Sequence, residues 1–363
     1  MAKSAKSAMP RRDFLATGIG LAAAPLFLPS SGVFAAPRKP DMVVVRGGGD
    51  LTPEEASYRR LKKGVDRLGG LAALIKGKNV LIKVNATERT SQDGNTSPAA
   101  TIALLRLCRE CAPADITVVG HEWGGYDSIR AGQPTLRQVI KKDGAGLIEL
   151  PHYWTKGSEG AYKLTKPEGD VWSELWVAKG LFEPDTVVLN LARLKTHPHC
   201  VFTGCVKNVI GLTRNMYGFH KKDDKQWPKN HGNPAGCDGW PVFARKLAHA
   251  FRDVIGPQIA LHILDAGQPT FGWRGPAPER IHTFDAHTTI VGTDALAMDV
   301  YGCGMLKAQR PDIYVDPLGP WNQGDSPYVT QNKPQLNYLV ECGRIGVGET
   351  NLAKVNIDEF TIG

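Results

Sequence analysis

Two observations predict an α/β fold: a mainly parallel sheet with helices on both faces, in a chain long enough for two lobes around a cleft. Short apolar, β-branched runs alternate with amphipathic segments along the chain, which is the pattern of strand–helix–strand units. Polar clusters follow several of those runs, where open α/β sheets place their ligands.

Residues 42–45 are an apolar β-branched run ending in Gly47-Gly48-Gly49, hence a strand and a turn. Gly47-Gly48-Gly49-Asp50 lacks the ending of a phosphate-binding P-loop and the spacing of a dinucleotide fingerprint, so it reads as a turn and not a phosphate cradle. Thr52-Pro53-Glu54-Glu55 reads as a capping box with proline in the first turn, opening a helix to about Leu68. Residues 80–84 are a buried strand, 85–96 a polar loop, and Ser97-Pro98 caps a helix ending near Cys111. A strand at 116–119 leads into Gly120-His121-Glu122-Trp123-Gly124-Gly125, and a short helix at 136–142 precedes a strand at 146–150.

The theme then repeats. A strand at 186–191 is followed by a loop rich in Lys, His and Gly, and 215–240 reads as a long loop of the kind that carries function or stays unfolded. A helix at 241–255, strands at 259–264 and 288–291, a helix from Thr293-Asp294 to 305 and a last strand within 354–362 complete the series. The chain has no sequence repeat and no low-complexity block.

The net charge is +8. That balance suits an anionic small molecule, while no basic run with interleaved aromatics points to nucleic acid. The seven cysteines are an odd number without the spacing of a disulfide scaffold or a ferredoxin run. Cys108 and Cys111 lie in a helical pattern and read as core packing.

The N-terminus is the most distinctive segment. Lys3, Lys6, Arg11 and Arg12 precede an apolar run over 14–28, and small residues at Val33-Phe34-Ala35 place a cleavage site after Ala35. The run is too short and broken for a membrane-spanning helix, and no stable span is expected after cleavage. Arg11-Arg12-Asp13-Phe14-Leu15 resembles the twin-arginine export consensus. The resemblance implies a signal peptide over 1–35, recognition by the twin-arginine translocase, and export of a folded α/β domain over 36–363 to the periplasm. A general secretory signal that carries two arginines is the alternative.

The densest chemistry is Lys195-Thr196-His197-Pro198-His199-Cys200, followed by Thr203-Gly204-Cys205-Val206-Lys207-Asn208. Imidazoles serve as bases or metal ligands near neutrality, and lysines as nucleophiles or anion clamps. The plainer reading is a solvated loop in which Lys195 and Asn208 contact backbone carbonyls. His220, His231 and Cys237 fit no zinc spacing. Trp123, Trp154, Trp227, Trp240, Trp273 and Trp321 either wall a pocket or pack loops onto the core.

These residues resemble family 362 of the domains of unknown function. The hallmark is a strand, then Lys195-Thr196-His197, then Thr203-Gly204-Cys205-Val206-Lys207-Asn208-Val209-Ile210-Gly211, then His220. Ile82-Lys83-Val84-Asn85 and the segment from Val291 to Asp299 also match, whereas Arg193 stands where the family commonly has lysine. Many relatives carry a ferredoxin segment, which this chain lacks. A more distant similarity is to lactate racemase-type enzymes with a nickel-pincer nucleotide. It implies that Lys207 tethers the cofactor, that His220 ligates the metal, and that His121 and His197 are the acid and base; His199, in the same cluster, is a further candidate metal ligand.

Together these readings predict a metal- or cofactor-dependent enzyme acting on a small anion, a hydroxy acid, by histidine acid/base chemistry. Lys83, Asn85, Arg89 and Lys195 are its expected substrate contacts. Two alternatives stand beside it: an iron–sulfur or redox protein using Cys200 and Cys205, and a non-catalytic periplasmic binding protein.

Overall fold

The β-branched runs become strands that are buried on both faces. The structure is a computed structural model and describes residues 39–168, 171–197, 201–220, 240–271, 282–309, 318 and 337–363. The strands are Met42–Gly47 (β1), Asn79–Val84 (β2), Asp115–His121 (β3), Gly146–Leu150 (β4), Tyr162–Thr165 (β5), Leu175–Ala178 (β6), Thr186–His197 (β7), Val201–Thr203 (β8), Ile259–Phe271 (β9), His282–Thr283 (β10), Thr288–Gly292 (β11) and Ile357–Ile362 (β12). The α-helices are Pro53–Arg67 (α1), Ala72–Ile75 (α2), Pro98–Glu110 (α3), Leu136–Asp143 (α4), Cys205–Asn208 (α5), Trp240–Ala250 (α6), Ala295–Gln309 (α7) and Tyr338–Arg344 (α8).

The large sheet runs β12-β1-β11-β9-β7-β2-β3-β4, with β10 and β8 added on β9 and β7. From β9 to β4 every neighbouring pair is parallel. β11 is the exception, antiparallel to both β1 and β9. Val43, Val45, Ile82 and Leu189 pack with α1 and α3 residues such as Leu61 and Leu104 on one face. Met42, Val44, Leu81 and Leu194 pack with Phe243, Leu296 and Leu339 on the other. Each fully buried aliphatic side chain of this kind contributes roughly 1.5–3 kcal/mol. Among the described residues no helix is long and apolar enough to cross a membrane.

Helix starts follow their local chemistry. Ser97 Oγ accepts from Ala100 N and Pro98 follows it. Thr52 caps α1, but the Glu55 carboxylate turns to Arg59 and Arg106 and does not complete a capping box. That box forms at Thr135 and Gln138 instead. Two strands are longer than their apolar runs. β7 continues to His197 and β9 to Phe271, because a sheet neighbour satisfies backbone groups even where the side chains are polar. Arg193, Lys195 and Thr196 therefore lie on a strand and not in a loop. The hairpin β5–β6 and the helix α8 carry no periodicity of their own in the sequence.

Handedness of connection creates one crevice. β2 leaves through 85–97 to α3 on one face, while adjacent β7 leaves through β8 and α5 to the opposite face. The two chains diverge beyond the carboxyl ends of β2 and β7, which is where open sheets bind ligands.

Candidate functional site

Lysines from three elements converge at that crevice: Lys83 on β2, Lys195 on β7 and Lys207 on α5. Lys83 is 2 % and Lys195 4 % exposed. Lys83 Nζ donates to Val84 O and, at 3.3 Å, to Asn208 Oδ1. Lys195 Nζ donates to Gly94 O, to Asn85 Oδ1 at 3.3 Å and to Thr87 Oγ1 at 3.5 Å. These acceptors are all uncharged, and no carboxylate among the described residues forms an ion pair with either ammonium. Burial, with repulsion from Lys195 and Lys207, lowers the Lys83 pKa to about 7. Burial and Lys207 bring Lys195 to about 7 as well, partly opposed by Glu88.

A web of amides holds the lysines in place. Asn208 Nδ2 donates to Asn190 Oδ1 at 2.8 Å, and its Oδ1 accepts from Asn85 as well as Lys83. Asn190 Nδ2 reaches Cys205 O and His262 Nδ1. Asn85 N is held by Thr96 Oγ1, which itself donates to Leu191 O. The short helix α5 is anchored by Asp299, whose carboxylate accepts from Cys205 N and Val206 N. Burial pushes that carboxyl up to about 7 against the pull of the two N–H groups. Gly204 lets Asp299 come this close, since a Cβ there would overlap its carboxylate. Gly211 does the same for Lys83, whose Nζ would sit 3.0 Å from such a Cβ.

His121, at the end of β3, completes the arrangement. It is 3 % exposed, and neither ring nitrogen has a hydrogen-bond partner. Burial first, then His152 and Lys83, lowers its pKa to about 2, so the ring is neutral at any ordinary pH. Its ring lies 4.2 Å from that of His152, which stacks at 3.9 Å on Trp154. Thr203 Oγ1, opposite Lys195 in the β7–β8 register, is also buried without a partner. Unsatisfied buried polar atoms are rare in folded proteins, and several at one site call for a ligand or water.

The expected site residues thus divide. Lys83, Asn85, Lys195, Lys207 and His121 come together. Arg89 sits exposed at the rim, with Nε donating to Trp123 O at 2.7 Å and the guanidinium over the indole. His197 ends β7, partly buried. His220 closes a short 3-10 helix, Met216–His220, but its side chain is not among those described, and His199, Cys200, His231 and Cys237 lie outside the described residues. Residues 1–38, with the export signal, do too. Among the described residues no three His, Cys, Asp or Glu side chains gather as a metal site. Cys108, Cys111, Cys205 and Cys342 are in no disulfide. The Cys205 thiol is pushed well up by burial and by Asp299, the reverse of what a thiolate ligand needs.

The sequence offered Thr203 and Asn208 as members of the central motif and Asp299 as the end of a matching segment, without the roles they have here, and it did not mark Asn190. Asn190 had a signal: it is the one amide in the apolar run over 187–192. Thr203 and Asp299 gain meaning only once β8 and α7 are folded against the site.

The family model described as Domain of unknown function (DUF362) matches residues 80–304, and this chain belongs to that family. The match spans β2 through most of α7, which takes in every residue of the lysine site. No curated protein matches the chain. A crystal structure of a Thermotoga maritima protein, solved by a structural genomics consortium, is similar at 15 % identity with a TM-score of 0.38. That similarity covers 69 % of this chain and 59 % of the other.

Proposed function

We propose that the protein binds a small hydroxy acid between the carboxyl ends of β2 and β7, with the neutral His121 ring placed to accept a hydrogen bond from the substrate's hydroxyl. The convergence of Lys83, Lys195 and Lys207, the first two without an anionic partner, carries this reading. Burying an ammonium among neutral oxygens is costly unless a counter-charge arrives. A carboxylate placed among the three lysines supplies it. The neutral imidazole beside Lys83 and the hydroxyl of Thr203 then offer polar partners to the substrate's hydroxyl. Cys205 supports a redox reading less well, because its thiol resists ionisation.

The metal part of the reading rests on His199 and His220. The described donor set supplies no metal site, so no step is routed through a metal. Lys207, half-buried and close enough to repel Lys83 and Lys195, suits an anionic group whether that group is substrate or cofactor.

The experiment pairs binding with turnover. Purified protein is offered a panel of small hydroxy acids, with calorimetry for binding and NMR for conversion. The account expects binding that Lys195→Met abolishes, and conversion that His121→Gln abolishes while binding survives. Binding without conversion of any member would favour a non-catalytic binding protein, and no binding at all would sink the proposal.

Export through the twin-arginine translocase is proposed on Arg11-Arg12-Asp13-Phe14-Leu15. Arg11→Lys together with Arg12→Lys should leave the chain uncleaved in the cytoplasm, as read by fractionation and intact mass. Unchanged processing would point to the general secretory route.

A further inference from the structure

We infer that the hydroxy acid bound at the lysines carries an aromatic ring, and that Trp154 receives this ring beside His121. The inference rests on the hydroxy-acid reading above and adds a third feature to the substrate. It comes from the order in which the strands end. Across β7, β2, β3 and β4, consecutive parallel neighbours, the carboxyl ends carry Lys195, Lys83, His121 and then the segment from His152 to Trp154. Lys83 is level with Val119 on β3, two residues before His121, so Lys83 and His121 share a face of the sheet. From β2 to β4 is two strand spacings, about 10 Å. A carboxylate, a hydroxyl-bearing carbon and a ring, joined in that order, fit along such a row.

The far end of the row is built of rings. His152 is buried and lies 4.2 Å from the ring of His121. Trp154 stacks on His152 at 3.9 Å with 13° between the planes, and Trp123 stands edge-on to the same imidazole at 5.3 Å and 71°. These are the face-on and edge-on arrangements that aromatic groups prefer. Trp154 nevertheless keeps 52 % exposure, and among the described side chains no other Trp and no Phe or Tyr is exposed. Ring surface is therefore left for a ligand at the end of the row.

The loop that carries this indole is fixed. Glu122 Oε1 accepts from His152 N at 2.7 Å and from Thr155 Oγ1 at 3.3 Å. Tyr162 Oη donates to Pro151 O at 2.7 Å, and Arg214 Nη2 to Tyr153 O at 3.1 Å. A ring arriving there pays little to order its partner, which favours binding. His121 supplies a second, independent sign of a ligand. Both of its nitrogens are buried without a hydrogen-bond partner, and it lies between the lysines and the rings, close enough to feel both Lys83 and His152. The hydroxyl of an aryl hydroxy acid falls at that junction. An aliphatic acid would satisfy the lysines and His121 but leave Trp154 in water.

Calorimetry with phenyllactate and lactate tests this, because the two share the carboxylate and hydroxyl and differ by the ring. We expect phenyllactate to bind about tenfold tighter. Trp154→Ala, at an exposed position, should bring the ratio of the two affinities close to one, and Trp154→Phe should restore most of the preference. Equal affinities in the wild type, or a ratio indifferent to Trp154→Ala, would overturn the inference and leave the hydroxy-acid reading standing where Lys195→Met still abolishes binding. Phenyllactate binding that survives Lys195→Met would place the ring away from the lysines and overturn it as well. Binding of neither acid would sink both readings together.

Discussion

Asn208 shows how the site is held at the scale of single residues. One amide accepts from Lys83 and Asn85 and donates to Asn190, so it fixes β2, β7 and α5 with respect to one another. Asn208→Leu should cost about 1–3 kcal/mol, because buried donors lose their acceptor. Chemical denaturation checks it, and a change under a few tenths of a kcal/mol would mean that the amides find other partners. The sequence made Lys83, Lys195, Lys207 and His121 legible as chemistry, since charged and imidazole groups at strand ends rarely serve packing alone. It did not reveal that Lys83 and Lys195 are buried without carboxylates. That depends on Asn85, Asn208 and Gly94, which are distant in the chain.

Among the elements, the caps and apolar runs were the readable part. Ser97-Pro98 starts α3 and the β-branched runs at 42–45 and 80–84 form strands where local chemistry places them. The ends of β7 and β9 were not readable. Arg193 through His197 look like loop by polarity, yet β8, β9 and the amide web satisfy them as strand. A similar limit applies to Thr52 and Glu55: the box motif is present, but Arg106 of α3, remote in sequence, takes the glutamate. Local signals therefore fixed where elements begin, and tertiary partners fixed where they end. The functional consequence is direct, because the site occupies those extended ends.

For the molecule as a whole, buried ionisable groups set how stability follows pH. Lys83 and Lys195 have folded pKa values of about 7, below their usual 10.5. Between those values the unfolded chain holds protons that the folded chain has released, so stability rises with pH there. His121 and His262 are lowered from 6.5 to about 2 and about 3 by burial. Below 6.5 the unfolded chain alone takes up those protons, so stability falls as acid is added. Asp299, raised from 3.8 to about 7, opposes this: between those values it favours the folded state at lower pH, offsetting one of the two histidines. The urea midpoint should accordingly rise from pH 5 to pH 9. A midpoint that declines from pH 7 to pH 9 would contradict the burial of two lysines that form no ion pair with a carboxylate.

The central claim, that a small acid seats its carboxylate among those lysines, is tested most directly by counting protons on binding. Calorimetry of a hydroxy acid at pH 8, in buffers of different ionisation enthalpy, reads proton uptake independently of affinity. The account predicts uptake, because the bound carboxylate raises two lysine pKa values that start at about 7, with the uptake vanishing below about pH 6, where both lysines are already charged. Binding at pH 8 with no proton uptake would place the ligand elsewhere in the molecule and contradict the account.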